Sequence, residues 1–154
     1  MGLSTAAMAG LAHMGGALAR YFTHGTGKVA IKFKVPKTGY AVGNVHTGFK
    51  LPKGAVLTRA YYNVRTALAS AASTATVAIQ LLAANDILTA IAINDVSNPF
   101  TVLNTPKTCK QDNAIANFKV QTNAADTEVL FVVGTQMLTA GELDLHLEYS
   151  YPDT

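Results

Sequence analysis

Residues 142–151, ELDLHLEYSY, alternate without a break. Leu143, Leu145, Leu147, Tyr149 and Tyr151 fall on one side; Asp144, His146, Glu148 and Ser150 fall on the other. Successive side chains of an extended chain point to opposite faces, so a period of two marks a strand with one dry face and one wet face. The same period governs 28–35, KVAIKFKV, where Val29, Ile31, Phe33 and Val35 oppose Lys28, Ala30, Lys32 and Lys34. It returns in 55–66, AVLTRAYYNVRT, which sets Val56, Thr58, Ala60, Tyr62 and Val64 against Leu57, Arg59, Tyr61, Asn63 and Arg65.

Four further runs have strand composition. Residues 74–82 (TATVAIQLL) and 87–93 (ILTAIAI) are rich in β-branched side chains, and Ala83-Ala84-Asn85-Asp86 between them reads as a hairpin turn. Residues 114–121 (AIANFKVQ) and 128–133 (EVLFVV) complete the set. The intervening stretches read as connections: 38–54 with its glycines and Pro52, the small residues of 67–74, the Asn- and Pro-bearing 94–113, and Gly134 to Gly141. Roughly seven or eight strands with turn signals between them, and no helical segments to make crossovers, predict an antiparallel sandwich. The fold class expected is all-β, a jelly-roll-like β-sandwich over 28–154, preceded by an extended or partly helical arm over 1–27. At 154 residues the chain has the length of one domain.

The arm reads MGLSTAAMAGLAHMGGALARYFTHGTG. Leu3, Ala7, Leu11, Met14, Leu18 and Phe22 recur at helical spacing, but Gly10, Gly15 and Gly16 each cost such a helix about 1 kcal/mol relative to Ala. A segment of this kind gains order against a partner rather than alone. Ala17-Leu18-Ala19 offers small residues as at a signal-peptidase site, but no basic residue precedes the apolar stretch, so a secretory signal is not expected. Ala6 stands where a myristoylation motif needs Ser or Thr.

Charge is scarce and divided. Only 14% of residues are charged, against the roughly 25–35% that dresses a free surface, which suggests that much of this surface faces a partner. The net charge of +3 conceals nine cations and no acid before residue 66, then three lysines against nine acids. Complementary faces of this kind fix register between neighbouring copies or partners; the plainer alternative is that the two sets mix on one globule. The residues expected to meet a partner are Leu11, Met14, Leu18, Arg20 and Phe22 of the arm, with Lys28, Lys32, Lys34, Lys37, Lys50, Lys53, Arg59 and Arg65 of the basic part.

No pattern of catalysis stands out. His13, His24, His46 and His146 include no HExxH spacing. Asp144, His146 and Glu148 share a strand face, which reads as a solvated polar row. Cys109 lies between Lys107 and Lys110 with no base near it in sequence. There is no GxSxG and no Walker-type glycine loop. The expectation is no enzyme, no cofactor and no metal. Nucleic acid is not an expected partner, since Phe33 alternates away from Lys32 and Lys34 and cannot stack where they bind. A membrane span is excluded by the lack of any long uninterrupted apolar run.

Residues 51–100 carry Leu51-Pro52, Thr58-Arg59-Ala60-Tyr61-Tyr62, Thr76-Val77-Ala78-Ile79, Ala90-Ile91-Ala92-Ile93 and Asn98-Pro99-Phe100. This succession resembles small virion structural proteins of tailed double-stranded DNA bacteriophages, of the head decoration or cement kind. Tyr61 and Phe100 stand where that pattern has Trp. The resemblance implies a cement or decoration protein that clamps neighbouring capsid subunits. Its partners would be the major capsid protein or other virion proteins and further copies of itself, as a homotrimer, and its place the virion, assembled in the host cytoplasm. The alternative is a tail, neck or fibre module that binds a host glycan or receptor.

Overall fold

The computed structural model describes residues 25–96, 100–109, 121–122 and 124–150. The arm residues Leu11, Met14, Leu18, Arg20 and Phe22 and nearly all of the strand expected over 114–121 lie outside them. The described residues form nine strands and no helix: β1 (Thr26–Lys34), β2 (Gly43–Leu51), β3 (Val56–Ser70), β4 (Thr76–Gln80), β5 (Leu88–Ala92), β6 (Lys107–Thr108), β7 (Gln121–Thr122), β8 (Thr127–Gly134) and β9 (Leu138–Ser150).

The strands pair as nested hairpins. β4 pairs with β5, β3 with β6 and β7, β2 with β8, and β1 with β9, all antiparallel. Rolling this long hairpin brings β9 beside β3 and β8 beside β4. One sheet therefore runs β1-β9-β3-β6, with β7 also on β3, and the other runs β2-β8-β4-β5. This nested order is the jelly roll, and it bears out the all-β sandwich expected from the alternation.

The dry faces meet in a single core. Phe33 of β1 packs on Phe131 of β8 with ring centroids 4.4 Å apart and on Tyr40 at 5.2 Å. Tyr62 of β3 stacks on Phe100 at 5.0 Å, so an aromatic from the expected loop over 94–113 fills the interior. Leu143, Leu145 and Leu147 of β9 are buried while Asp144, His146 and Glu148 between them stay partly open. That is the alternation read in the sequence.

Four local readings change. The stretch 38–54 was expected as a loop, yet Gly43–Leu51 is β2, in which Val45, Thr47 and Phe49 point inward between more exposed neighbours. Glycines and Pro52 hid this alternation, and the register of β2 on β8 slips between His46 and Lys50, where Gly48 takes φ +78°. Second, β3 continues to Ser70 through residues expected as a turn, and Leu68 there is buried. Third, Leu57 shares the inner face with Ala60, Tyr62 and Val64. The register shifts between Leu57 and Arg59 on β9, and the extra residue of the bulge reverses the faces that strict alternation assigns. β9 likewise begins at Leu138, inside the expected turn, and runs through Gly141. A Cβ on Gly141 would run into the Leu68 side chain and backbone, and its φ of +132° strains any L-residue.

Candidate interaction face

The wet face of the β1-β9-β3 sheet gathers five cations and three carboxylates. Register sets Lys28 opposite Glu148, Lys32 opposite Asp144 and Lys34 opposite Glu142, and sets Arg59, on the far side of β9, opposite Glu148. An acidic strand thus lies between two basic ones. Glu148 receives Arg59 Nη1 at 3.2 Å and Lys28 Nζ at 3.8 Å. Asp144 receives Arg65 Nε at 2.7 Å and Lys32 Nζ at 3.9 Å. Glu142 receives Lys32 Nζ at 3.2 Å and Lys34 Nζ at 4.0 Å. Arg65 is held further by Asn104 Oδ1, 3.1 Å from its Nη1.

The centre of the face is aromatic. Tyr61 and His146 stack at 4.7 Å with their planes 9° apart, and the Arg59 guanidinium sits 4.5 Å from the Tyr61 centroid. Exposed ion pairs contribute only about 0.2–1 kcal/mol each, and a cation over an exposed ring about 0.5–1 kcal/mol. Three carboxylates shared among five cations orient those side chains more than they stabilise the fold.

Of the basic residues expected at a partner surface, the structure brings together Lys28, Lys32, Lys34, Arg59 and Arg65. It does not bring Lys37, Lys50 or Lys53 to that face: Lys37 follows β1 in a turn, Lys50 lies on β2 in the opposite sheet, and Lys53 lies in the β2–β3 connection. Five cations of the basic part and three acids of the later part therefore mix side by side on this one face. The reading from sequence missed the counter-charges, although a signal was present. Lys28, Lys32 and Lys34 step by four and two, and Glu148, Asp144 and Glu142 step by four and two in the opposite direction, which is the spacing that an antiparallel pair of strands requires.

The opposite sheet has one ionic contact at its β2 edge. His46 Nδ1 lies 2.9 Å from Glu128 Oε2, and the Gly48 N–H donates to Glu128 Oε1 at 2.7 Å. The His46 hydrogen bond, then that of Gly48, hold the Glu128 carboxyl below its ordinary range. Elsewhere on this outer face stand Thr76, Gln80, Leu130 and Val132, none of them charged.

Cys109 is fully buried, and burial pushes its thiol pKa up, so it carries no thiolate at neutral pH. No group of three or more His, Cys, Asp or Glu residues among those described could hold a metal ion, and no described helix is long and apolar enough to cross a membrane.

Neither a family model nor a curated protein matches the chain. Solved structures do. A chain in the structure of the acid-stable capsid of Helicobacter pylori bacteriophage KHP30 aligns with TM-score 0.57 at 18% identity, over 84% of this chain and 91% of that one. A chain in the capsid of Ralstonia phage GP4 aligns with TM-score 0.60 at 16% identity, over 84% of this chain and 86% of that one. A chain in the capsid asymmetric unit of cyanophage Pam1 aligns with TM-score 0.60 at 16% identity, over 99% of this chain and 98% of that one. At these identities the likeness is one of fold: chains in phage capsid structures share the fold described above.

Proposed function

We propose that this chain is a non-enzymatic structural protein of a phage virion, and within the virion a cement or decoration protein that clamps neighbouring capsid subunits. The observation that carries this reading is the near-complete overlap with a chain of the Pam1 capsid. The scarcity of charge and the glycine-rich, acid-free leader fit the same role. A cement protein needs a stiff body and a segment that becomes ordered on the particle, at an entropic cost met at the moment of binding. In this reading the residues ahead of β1 are the docking arm, the basic face supports it, and the protein assembles on the shell as a homotrimer in the host cytoplasm.

Deletion of residues 1–24 tests it. The truncated chain should keep the β-rich circular dichroism and cooperative melting of the full chain and lose its binding to capsids prepared without it. Binding at full-length affinity would sink the arm's role. Cryo-electron microscopy of decorated capsids should place the sandwich at symmetric sites bridging capsid subunits; density confined to the tail or fibres, together with binding on a glycan array, would favour a receptor-binding module instead.

A further inference from the structure

Among the described residues β1 is the terminal strand of its sheet and pairs with β9 alone, over nine residues and with no slip in register. The Val35 N–H donates to Gly141 O at 2.9 Å, and that pair continues the register. Hydrogen-bonded pairs alternate along an antiparallel ladder. Gly27, Val29, Ile31 and Phe33 therefore turn their backbone groups to β9, while Thr26, Lys28, Ala30, Lys32 and Lys34 turn theirs to the open edge. A nine-residue edge strand of unbroken register is a template for one more strand.

Its side chains say which strand. Lys28, Lys32 and Lys34 are 76%, 60% and 70% exposed, and each shares its carboxylate with another cation. Across the sheet the rows run cation, anion, cation, with β1 as the last row. The next row that this pattern accepts is anionic. Lysines on an edge usually guard against association. Here they reject a second β1, which would set lysine against lysine, without opposing an acidic strand. The chain cannot supply that strand from its remaining residues: the only acids outside the described segments are Asp112 and Asp153, and residues 1–24 contain none.

We infer that the open edge of β1 is a β-augmentation site for an extended segment of another protein carrying Asp or Glu at alternate positions, paired in register with Lys28, Lys32 and Lys34. β1 takes such a segment whether or not the chain serves a capsid; within the proposed role the donor is a neighbouring virion protein.

The test uses the full chain and a blocked nine-residue peptide with Glu alternating with Val and Thr. Its controls are the same peptide with Lys for Glu, a peptide of scrambled order, and an oligo-dT strand. Binding is followed by fluorescence anisotropy, and the edge by amide hydrogen exchange read by NMR. The alternating acidic peptide should bind about tenfold or more tighter than the scrambled one, as three opposed charge pairs would give, and more weakly as salt rises. It should slow exchange at Lys28, Ala30, Lys32 and Lys34 and leave Val29, Ile31 and Phe33 unchanged. Ala30→Pro removes one outward N–H and none that faces β9, so it should abolish peptide binding and keep the melting transition. Equal affinity for the lysine or scrambled peptide, protection produced by oligo-dT instead, protection of β1 by self-association without peptide, or no protection at the outward amides would each overturn the inference.

Discussion

At single positions, the consequences follow from burial and from who meets whom. Phe131 is almost fully buried between the sheets against Phe33. Phe131→Ala removes a ring from a packed interior and should lower stability by about 3–5 kcal/mol, read from urea unfolding. Cys109 should react with a thiol reagent only as fast as the chain opens, so its labelling rate should track global unfolding across denaturant concentrations. Fast labelling of the native protein would show that the strand over Lys107–Thr108 opens by itself. Glu128 gives a pH prediction with a definite sign. Its carboxyl is held below the unfolded value, so its contribution is present above the ordinary carboxylate range and disappears as pH falls through the lower folded value. The Gly48 amide shift should follow that titration with an apparent pKa below an ordinary glutamate, and Glu128→Gln should erase it.

Strands show where sequence is legible and where it is not. β1 and the part of β9 from Glu142 onward could be read, because one face is wet, the other dry, and their mutual register is unbroken. Even their partnership was written in the opposed spacing of three lysines and three acids. β2 was hidden because its edge position lets glycines and an irregular register interrupt the alternation. β3 was found but assigned the wrong face at Leu57, since a bulge is set by the partner strand and leaves no local mark on composition. The interaction face was half legible for the same reason: the cations lie in two separate segments, and only the insertion of β9 between them makes one surface. Gly141 is the element-scale test. Gly141→Ala should cost on the order of 1–3 kcal/mol, because Leu68 of the bulged β3 occupies the space of the new methyl group. A neutral result would mean that β3 and β9 can part at that end.

For the molecule as a whole, the two outer faces differ in kind. One carries five cations and three carboxylates in ordered rows; the other is uncharged apart from the His46, Lys50 and Glu128 group near the β2 edge. Raising salt should weaken any partner held by the first face and leave one held by the second largely unaffected, which a salt series of capsid-binding assays would separate. The nested pairing also orders events in time. Thr26 finds Ser150, and among the described residues β1 as a whole has no other neighbour in its sheet. On a ribosome adding roughly 5–20 residues each second, β1 emerges long before β9 exists and waits on the order of 6–25 s for it. During that interval its apolar row of Val29, Ile31 and Phe33 is uncovered, and Lys32 within the row, with Lys28 and Lys34 at its ends, sets like charge against a second nascent chain.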